Sequence, residues 1–165
     1  MKTMYMGLLG LFFLATIAIS CSGTKKVTSD VSKETITEAI NKNEWVFTAN
    51  YVMPQTGTSR SVNGTNTVTY SANKFIVYLP YFGRAYTGII GSTQGPLDFQ
   101  TADFDISKDQ KKEGQWTLVL KPKDYREVQT MTFTFFDNGS ANVAVSLTNR
   151  SPISFTGTVA PKTIN

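Results

Sequence analysis

Met131-Thr132-Phe133-Thr134-Phe135-Phe136-Asp137-Asn138-Gly139-Ser140-Ala141-Asn142-Val143-Ala144-Val145 reads as two strands about a turn. Met131, Phe133 and Phe135 alternate with Thr130, Thr132 and Thr134, the period of a strand with one buried face. The turn sets the register. A three-residue loop Asp137-Asn138-Gly139, with Gly139 in the left-handed region, brings Phe135 opposite Ala141, Phe133 opposite Val143 and Met131 opposite Val145. A two-residue Asn138-Gly139 loop would oppose Thr134 to Val143 and mix the faces, so the bulged loop is preferred.

The same alternation extends in both directions. Trp45, Phe47, Ala49, Tyr51 and Met53 form one face against Val46, Thr48, Asn50 and Val52. Trp116, Leu118 and Leu120 form another set, as do Ala141 to Leu147, and Ile153, Phe155 and Val159. A loop at Ser71 to Lys74 pairs Tyr70 with Phe75 and Val68 with Val77, and Asn63-Gly64 marks a tight turn. Lys74 to Phe82 differs in being apolar on both sides, with Phe75, Val77, Leu79 and Tyr81 opposed to Ile76, Tyr78 and Phe82. Such a strand is either covered outside, by a helix or by the glycine-rich stretch 83–100, or lines a ligand; the covered reading is preferred. Ser29 or Asp30 can cap a helix over residues 31–43, with Val31, Ile36, Ala39 and Ile40 as its apolar stripe. These patterns predict an all-β, mainly antiparallel domain over residues 30–165. It has about eight strands in a sandwich or partly open barrel, with one short N-terminal helix.

The first residues are of another kind. Lys2 precedes an uncharged run from Met6 to Ile19, 14 residues long, whereas a bilayer-spanning helix needs about 20. That is the layout of an export signal, here residues 1–20. Ala18-Ile19-Ser20-Cys21 resembles the lipobox of bacterial lipoproteins, with Ala18 in place of the usual leucine. The resemblance implies diacylglycerol on the Cys21 thiol and, with further acylation, a stable anchor. Residues 21–29 then form a short tether, and Lys25 and Lys26 lie near the headgroups. Surface-directed lipoproteins resemble one another in an acidic cluster after the cysteine, and Ser22-Gly23-Thr24-Lys25-Lys26 lacks one. The expected address is the cell envelope, on the periplasm-facing leaflet of the outer membrane.

Composition narrows the chemistry. The 16 Lys and Arg, less Lys2, stand against 12 Asp and Glu, so the mature chain has a mild, scattered positive charge and no nucleic-acid footprint. There is no histidine, and Cys21 is the only cysteine. Ser-His and Cys-His nucleophile pairs are therefore excluded, along with histidine bases. Ser71-x-x-Lys74 and Ser22-x-x-Lys25 match a Ser-Lys acylating motif only by chance, because neither serine opens a helix. A calcium loop from Asp103 fails where Lys108 and Gly114 stand in place of glycine and glutamate. Asp98, Asp103, Asp105 and Asp109 read as turn carboxylates. No cofactor, metal site or catalytic residue is implied.

The candidate ligand-binding residues are Tyr78, Tyr81, Phe82, Arg84 and Tyr86, with Arg150 at a second junction. An arginine between aromatics beside a glycine turn can hold an anionic group; otherwise it pairs with a carboxylate while the aromatics pack.

Leu79-Pro80-Tyr81-Phe82-Gly83-Arg84-Ala85-Tyr86, Gly139-Ser140-Ala141-Asn142-Val143 and residues 149–159 (NRSPISFTGTV) together resemble a family of small uncharacterised envelope lipoproteins of Bacteroidetes-type bacteria, described as a domain of unknown function. The resemblance covers roughly Glu44 to Pro161. Its hallmark positions are Tyr81, Phe82, Gly83, Arg84, Asn149, Arg150 and Gly157. It implies a β-rich envelope domain and brings no activity. The leading expectation is a non-catalytic module binding a small molecule, glycan or envelope protein. The alternative is a structural or assembly factor acting through protein contacts, and an enzyme is the least favoured class.

Overall fold

The computed structural model describes residues 32–86 and 95–163. Cys21, the signal and the tether lie outside them, as do Ser29, Asp30 and Val31. Helix α1 spans Lys33–Lys42. Its N-cap is Ser32, not Ser29 or Asp30: the Ser32 hydroxyl accepts from the Thr35 amide at 3.2 Å, the standard way to satisfy an orphan N–H. Asn43, left-handed at φ 59°, ends the helix.

The strands are β1 (Trp45–Pro54), β2 (Arg60–Ser61), β3 (Thr67–Ser71), β4 (Lys74–Tyr78), β5 (Asp98–Thr101), β6 (Phe104–Lys112), β7 (Gln115–Pro122), β8 (Val128–Phe136), β9 (Ser140–Leu147) and β10 (Ile153–Pro161). They form one antiparallel sheet in the order β5-β4-β3-β1-β10-β9-β8-β7-β6, with β2 on β1. The sheet curls into a half-barrel, so the barrel alternative holds and the sandwich does not. Trp45 on β1 meets Phe133 and Phe135 on β8 at ring-centroid distances of 5.3 and 4.7 Å. Two strands separate β1 from β8, and only curvature brings their side chains together. Phe75 on β4 meets Phe104 on β6 at 5.0 Å, which carries the aromatic packing across to the far edge of the curl.

Both predicted hairpin registers are observed. Phe135 pairs with Ala141, Phe133 with Val143 and Met131 with Val145, about a turn with Gly139 at φ 83°. Tyr70 pairs with Phe75 and Val68 with Val77. Ala72 and Asn73 supply the two positive φ angles of a two-residue hairpin turn.

Four expectations are corrected. Alternation on β1 breaks after Ala49: Val52 is buried while Tyr51 and Met53 are exposed. The cause is a bulge. Ala49 pairs with Gly157 and Tyr51 with Thr156, leaving Asn50 unpaired and inverting the phase. Second, ten strands form among the described residues where about eight were expected, because β2 is very short and β6 is exposed along nearly its whole length. Asp98, Asp105 and Asp109 thus lie in strands, not turns. The charges of β6, Asp105, Lys108, Asp109, Lys111 and Lys112, suit an edge strand that must not pair with another molecule. Third, β4 ends at Tyr78, ahead of Pro80. Fourth, its outer side is not covered by α1: Ile76 and Tyr78 are 43% and 52% exposed.

Helix α1 instead lies across the end of the curl where β1 begins and β10 ends. Ile36, Ala39 and Ile40 join the core. The Lys33 ammonium pairs with Asp137 at 3.0 Å. At the other end of the helix the Lys108 ammonium donates to the Ile40 carbonyl at 3.2 Å and the Asn41 carbonyl at 3.3 Å. A cation at a helix C-terminus is favourable; burial there pushes the Lys108 amine down from its usual value.

Glycine is required at the bulge. A Cβ on Gly157 would fall on the Thr48 carbonyl oxygen and within 2.9 Å of its carbon. Gly64 has room, its nearest neighbour being Thr48 Cγ2 at 3.9 Å. Gly157→Ala should therefore destabilise the domain by about 1–3 kcal/mol or more, while Gly64→Ala stays within about 0.5 kcal/mol. Urea unfolding of the two variants beside the parent measures both.

Candidate functional site

The end of the curl opposite α1 is where the two hallmark segments meet. After β4 the chain is tied by the Leu79 amide, which donates to the Leu97 carbonyl at 2.9 Å. Tyr81 packs against the core. Its hydroxyl donates to the Ser151 carbonyl at 2.9 Å, with the Arg84 carbonyl and Ser151 Oγ each 3.1 Å away. Ser151, almost fully buried, accepts from the Arg84 amide at 2.9 Å through Oγ. Its own amide donates to the Arg84 carbonyl at 2.9 Å, and the Tyr86 amide donates to the Asn149 carbonyl at 2.9 Å. Ala85 and Arg150 form an antiparallel bridge. The residues 84–86 and 149–151 are thus zipped together, with Tyr81 and Ser151 as the clasp. Gly83 is part of it: a Cβ there would overlap the Tyr81 hydroxyl and come within 2.6 Å of Ser151 Oγ.

Arg150 sits beside this clasp. Its guanidinium carbon lies 5.4 Å from the centre of the Tyr81 ring. Its Nε is 3.6 Å from Glu127 Oε2, beyond direct hydrogen bonding. Both atoms are buried and have no hydrogen-bond partner among the described residues. Arg126, Glu127, Thr148, Asn149 and Arg150 line a depression of 390 Å³. Its wall is braced by the Thr148 amide donating to the Glu127 carbonyl at 3.0 Å and the Thr148 hydroxyl donating to the Arg126 carbonyl at 2.7 Å. Behind it, Tyr125 stacks on Phe99 with centroids 4.2 Å apart. Burial first, and the Glu127 carboxylate second, push the Tyr125 phenol up, with Arg150 opposing.

Of the six residues read from sequence, Tyr81 and Arg150 are in contact, and Arg84 and Tyr86 join them through their main chains. The Arg84 and Tyr86 side chains are exposed. Phe82 is drawn elsewhere, its ring 5.1 Å from the Arg60 guanidinium. Tyr78 stands apart on the outer face of β4, between Thr67 and Asp98. Sequence reasoning missed Arg126, Glu127, Thr148 and Ser151. A signal for Glu127 existed: extending the Met131–Val145 register places it opposite Asn149. The shift between Val128 and Thr130 then moves the pairing by one residue.

A second polar cluster joins the strand ends near α1. The Lys162 ammonium donates to Ser71 Oγ at 2.7 Å, so Lys162, not its strand partner Lys74, is the lysine that hydrogen-bonds the Ser71 hydroxyl. Glu44 accepts from the Ala72 amide at 3.1 Å. The Ser71 hydroxyl first, and the Ala72 amide next, hold the Glu44 carboxyl below its usual 4.5. A carboxylate with a lowered folded-state pKa stabilises the fold above its unfolded value, and that contribution is lost as pH falls through the folded one. The stability gap between the parent and Glu44→Gln should be present at pH 7 and close as the pH drops below 4.5. Denaturant titrations at several pH values measure it.

Comparison with known proteins bears on the fold and the family. No curated protein matches this chain. A crystal structure of a DUF4251 family protein from Bacteroides eggerthii DSM 20697 matches with a TM-score of 0.57 and 18% identity, covering 80% of this chain and 89% of that one. At that identity the likeness speaks for a shared fold. The model of the family described as Domain of unknown function (DUF4251) matches residues 28–159. That span includes the whole clasp and the depression, and the chain therefore belongs to the DUF4251 family.

Proposed function

We propose that this chain is a cell-envelope lipoprotein, anchored by lipid on Cys21 and facing the periplasm from the outer membrane, whose β domain is a non-catalytic binding module. The leader supports the address: a short apolar run, small residues and a lone cysteine followed at once by polar sequence. The Arg150 depression carries the binding half. A largely buried guanidinium, held beside an aromatic ring at the edge of an open hollow, is an arrangement for recognition rather than for bond-breaking. Around it stand Arg126, Glu127, Thr148 and Asn149, with neither a histidine nor a free thiol among them. The interior of the curl is occupied by Trp45, Phe75, Phe133 and Phe135, so a small molecule, glycan or protein would be met at the rim.

The exposed Tyr51, Met53, Ile76 and Tyr78 favour a second reading, an assembly factor acting through protein contacts. The readings separate in one preparation. The chain is isolated from its own envelope and examined by native mass spectrometry, beside Cys21→Ala. A reproducible small bound mass is the expected result; a bare domain co-purifying with one protein would select the assembly reading. Cys21→Ala should leave the membrane fraction and lose fatty-acid label, and unchanged retention would refute the anchor.

A further inference from the structure

The hydrogen-bond inventory of Arg150 points to the class of ligand. An arginine carries five N–H donors and no acceptor, and buried donors are almost always matched. The Arg150 side chain is only 15% exposed. Its Nε–H faces Glu127 across 3.6 Å, and the Tyr81 ring lies against the guanidinium. None of its Nη groups has a hydrogen-bond acceptor among the described residues, and Arg150 lines the depression. The guanidinium thus faces Glu127 at its Nε end without a direct hydrogen bond and the Tyr81 ring along its face, and its Nη edge is left for something else. That planar, two-pronged edge matches a carboxylate or a phosphate oxygen pair.

Charge chooses between the two. Arg126 and Arg150 together with Glu127 give the lining one net positive charge, which suits a monoanion better than a dianionic phosphate. Glu127 is 40% exposed along its side chain; only Oε2 is among the buried unpartnered atoms. Its carboxylate can therefore accept from a hydroxyl or amine carried beside the ligand's acid group. We propose that the depression binds a small carboxylate bearing an adjacent hydrogen-bond donor, such as a hydroxy acid, an acidic sugar or an amino acid. Arg150 takes the carboxylate in two hydrogen bonds, Arg126 adds charge from the rim, and Glu127 accepts the donor. This rests on the binding-module reading and names its ligand class.

The test is a titration of the ¹⁵N-labelled full chain at low ionic strength with lactate, glycine and inorganic phosphate. The Arg150 Nε–H signal and the amides of Thr148, Asn149 and Arg150 are followed. Saturable shifts with lactate and glycine are expected, with phosphate weaker. Arg150→Lys keeps the charge beside Tyr81 but loses the fork, and should weaken lactate binding about tenfold. Arg126→Gln guards against loss of folding, because Arg126 is exposed and makes its described hydrogen bond through the main chain; it should weaken binding severalfold while leaving the spectrum otherwise intact. Shifts that grow linearly without saturation, a preference for phosphate, or unchanged binding by Arg150→Lys would each overturn the site. A mass retained from the envelope by a chain whose Arg150 signals ignore all three probes would leave the binding module standing and remove this site.

Discussion

The packing of Trp45 inside the curl is the constraint on which the rest depends. A half-barrel has to fill its own interior, and here one indole does so by meeting Tyr70, Phe75, Phe133 and Phe135 within 6 Å. Edge-to-face contacts of this kind add about 0.5–1.5 kcal/mol per pair beyond area burial. The indole Nε1 of Trp45 is buried without a hydrogen-bond partner among the described residues, as is that of Trp116. Leaving such a donor unmatched costs about 1–3 kcal/mol, comparable to the gain from burying one large apolar side chain. At Trp45 ring packing therefore outweighs the polar penalty because four aromatic partners share the indole.

A filled interior has a functional consequence. Barrels that bind small molecules usually hold them inside, whereas this one offers aromatic side chains there. Polar recognition is displaced to the rim, where the curl stops and the chain crosses between strands. The Asn50 bulge opposite Gly157 turns Tyr51 and Met53 outward. The break in pairing at Val128 and Thr130 sets Glu127 and Thr148 at the lip of the depression. Two irregularities thus do what regular pairing cannot, re-aiming side chains at sheet ends.

Much of the fold was legible in the sequence because a period of two leaves little freedom. Once Phe133 and Phe135 must face inward, Gly139 fixes the β8–β9 register, and Tyr70 with Phe75 does the same across β3 and β4. The bulge on β1 was not legible, since Asn50 looks like any outward polar residue and the cause, Gly157, lies far along the chain. Strand β6 was hidden because an edge exposed on both faces shows no alternation at all. At the site, Tyr81 and Arg150 stood out as aromatic and cationic residues at strand junctions, but their meeting could not be read. It depends on Ser151, whose hydroxyl is unremarkable in sequence and nearly buried in the fold.

The claim that ties fold to function is that residues 84–86 and 149–151 are clasped by Tyr81 and Ser151, which hold Arg150 at the rim. A double-mutant cycle measures it directly, using urea unfolding of the parent, Tyr81→Phe, Ser151→Ala and the pair. Tyr81 and Ser151 share a part-buried contact between hydroxyls at 3.1 Å and should couple by about 0.5 kcal/mol or more, with the double variant losing less stability than the sum of the single ones. Additive losses, with no coupling beyond about 0.3 kcal/mol, would contradict the clasp and with it the placement of Arg150.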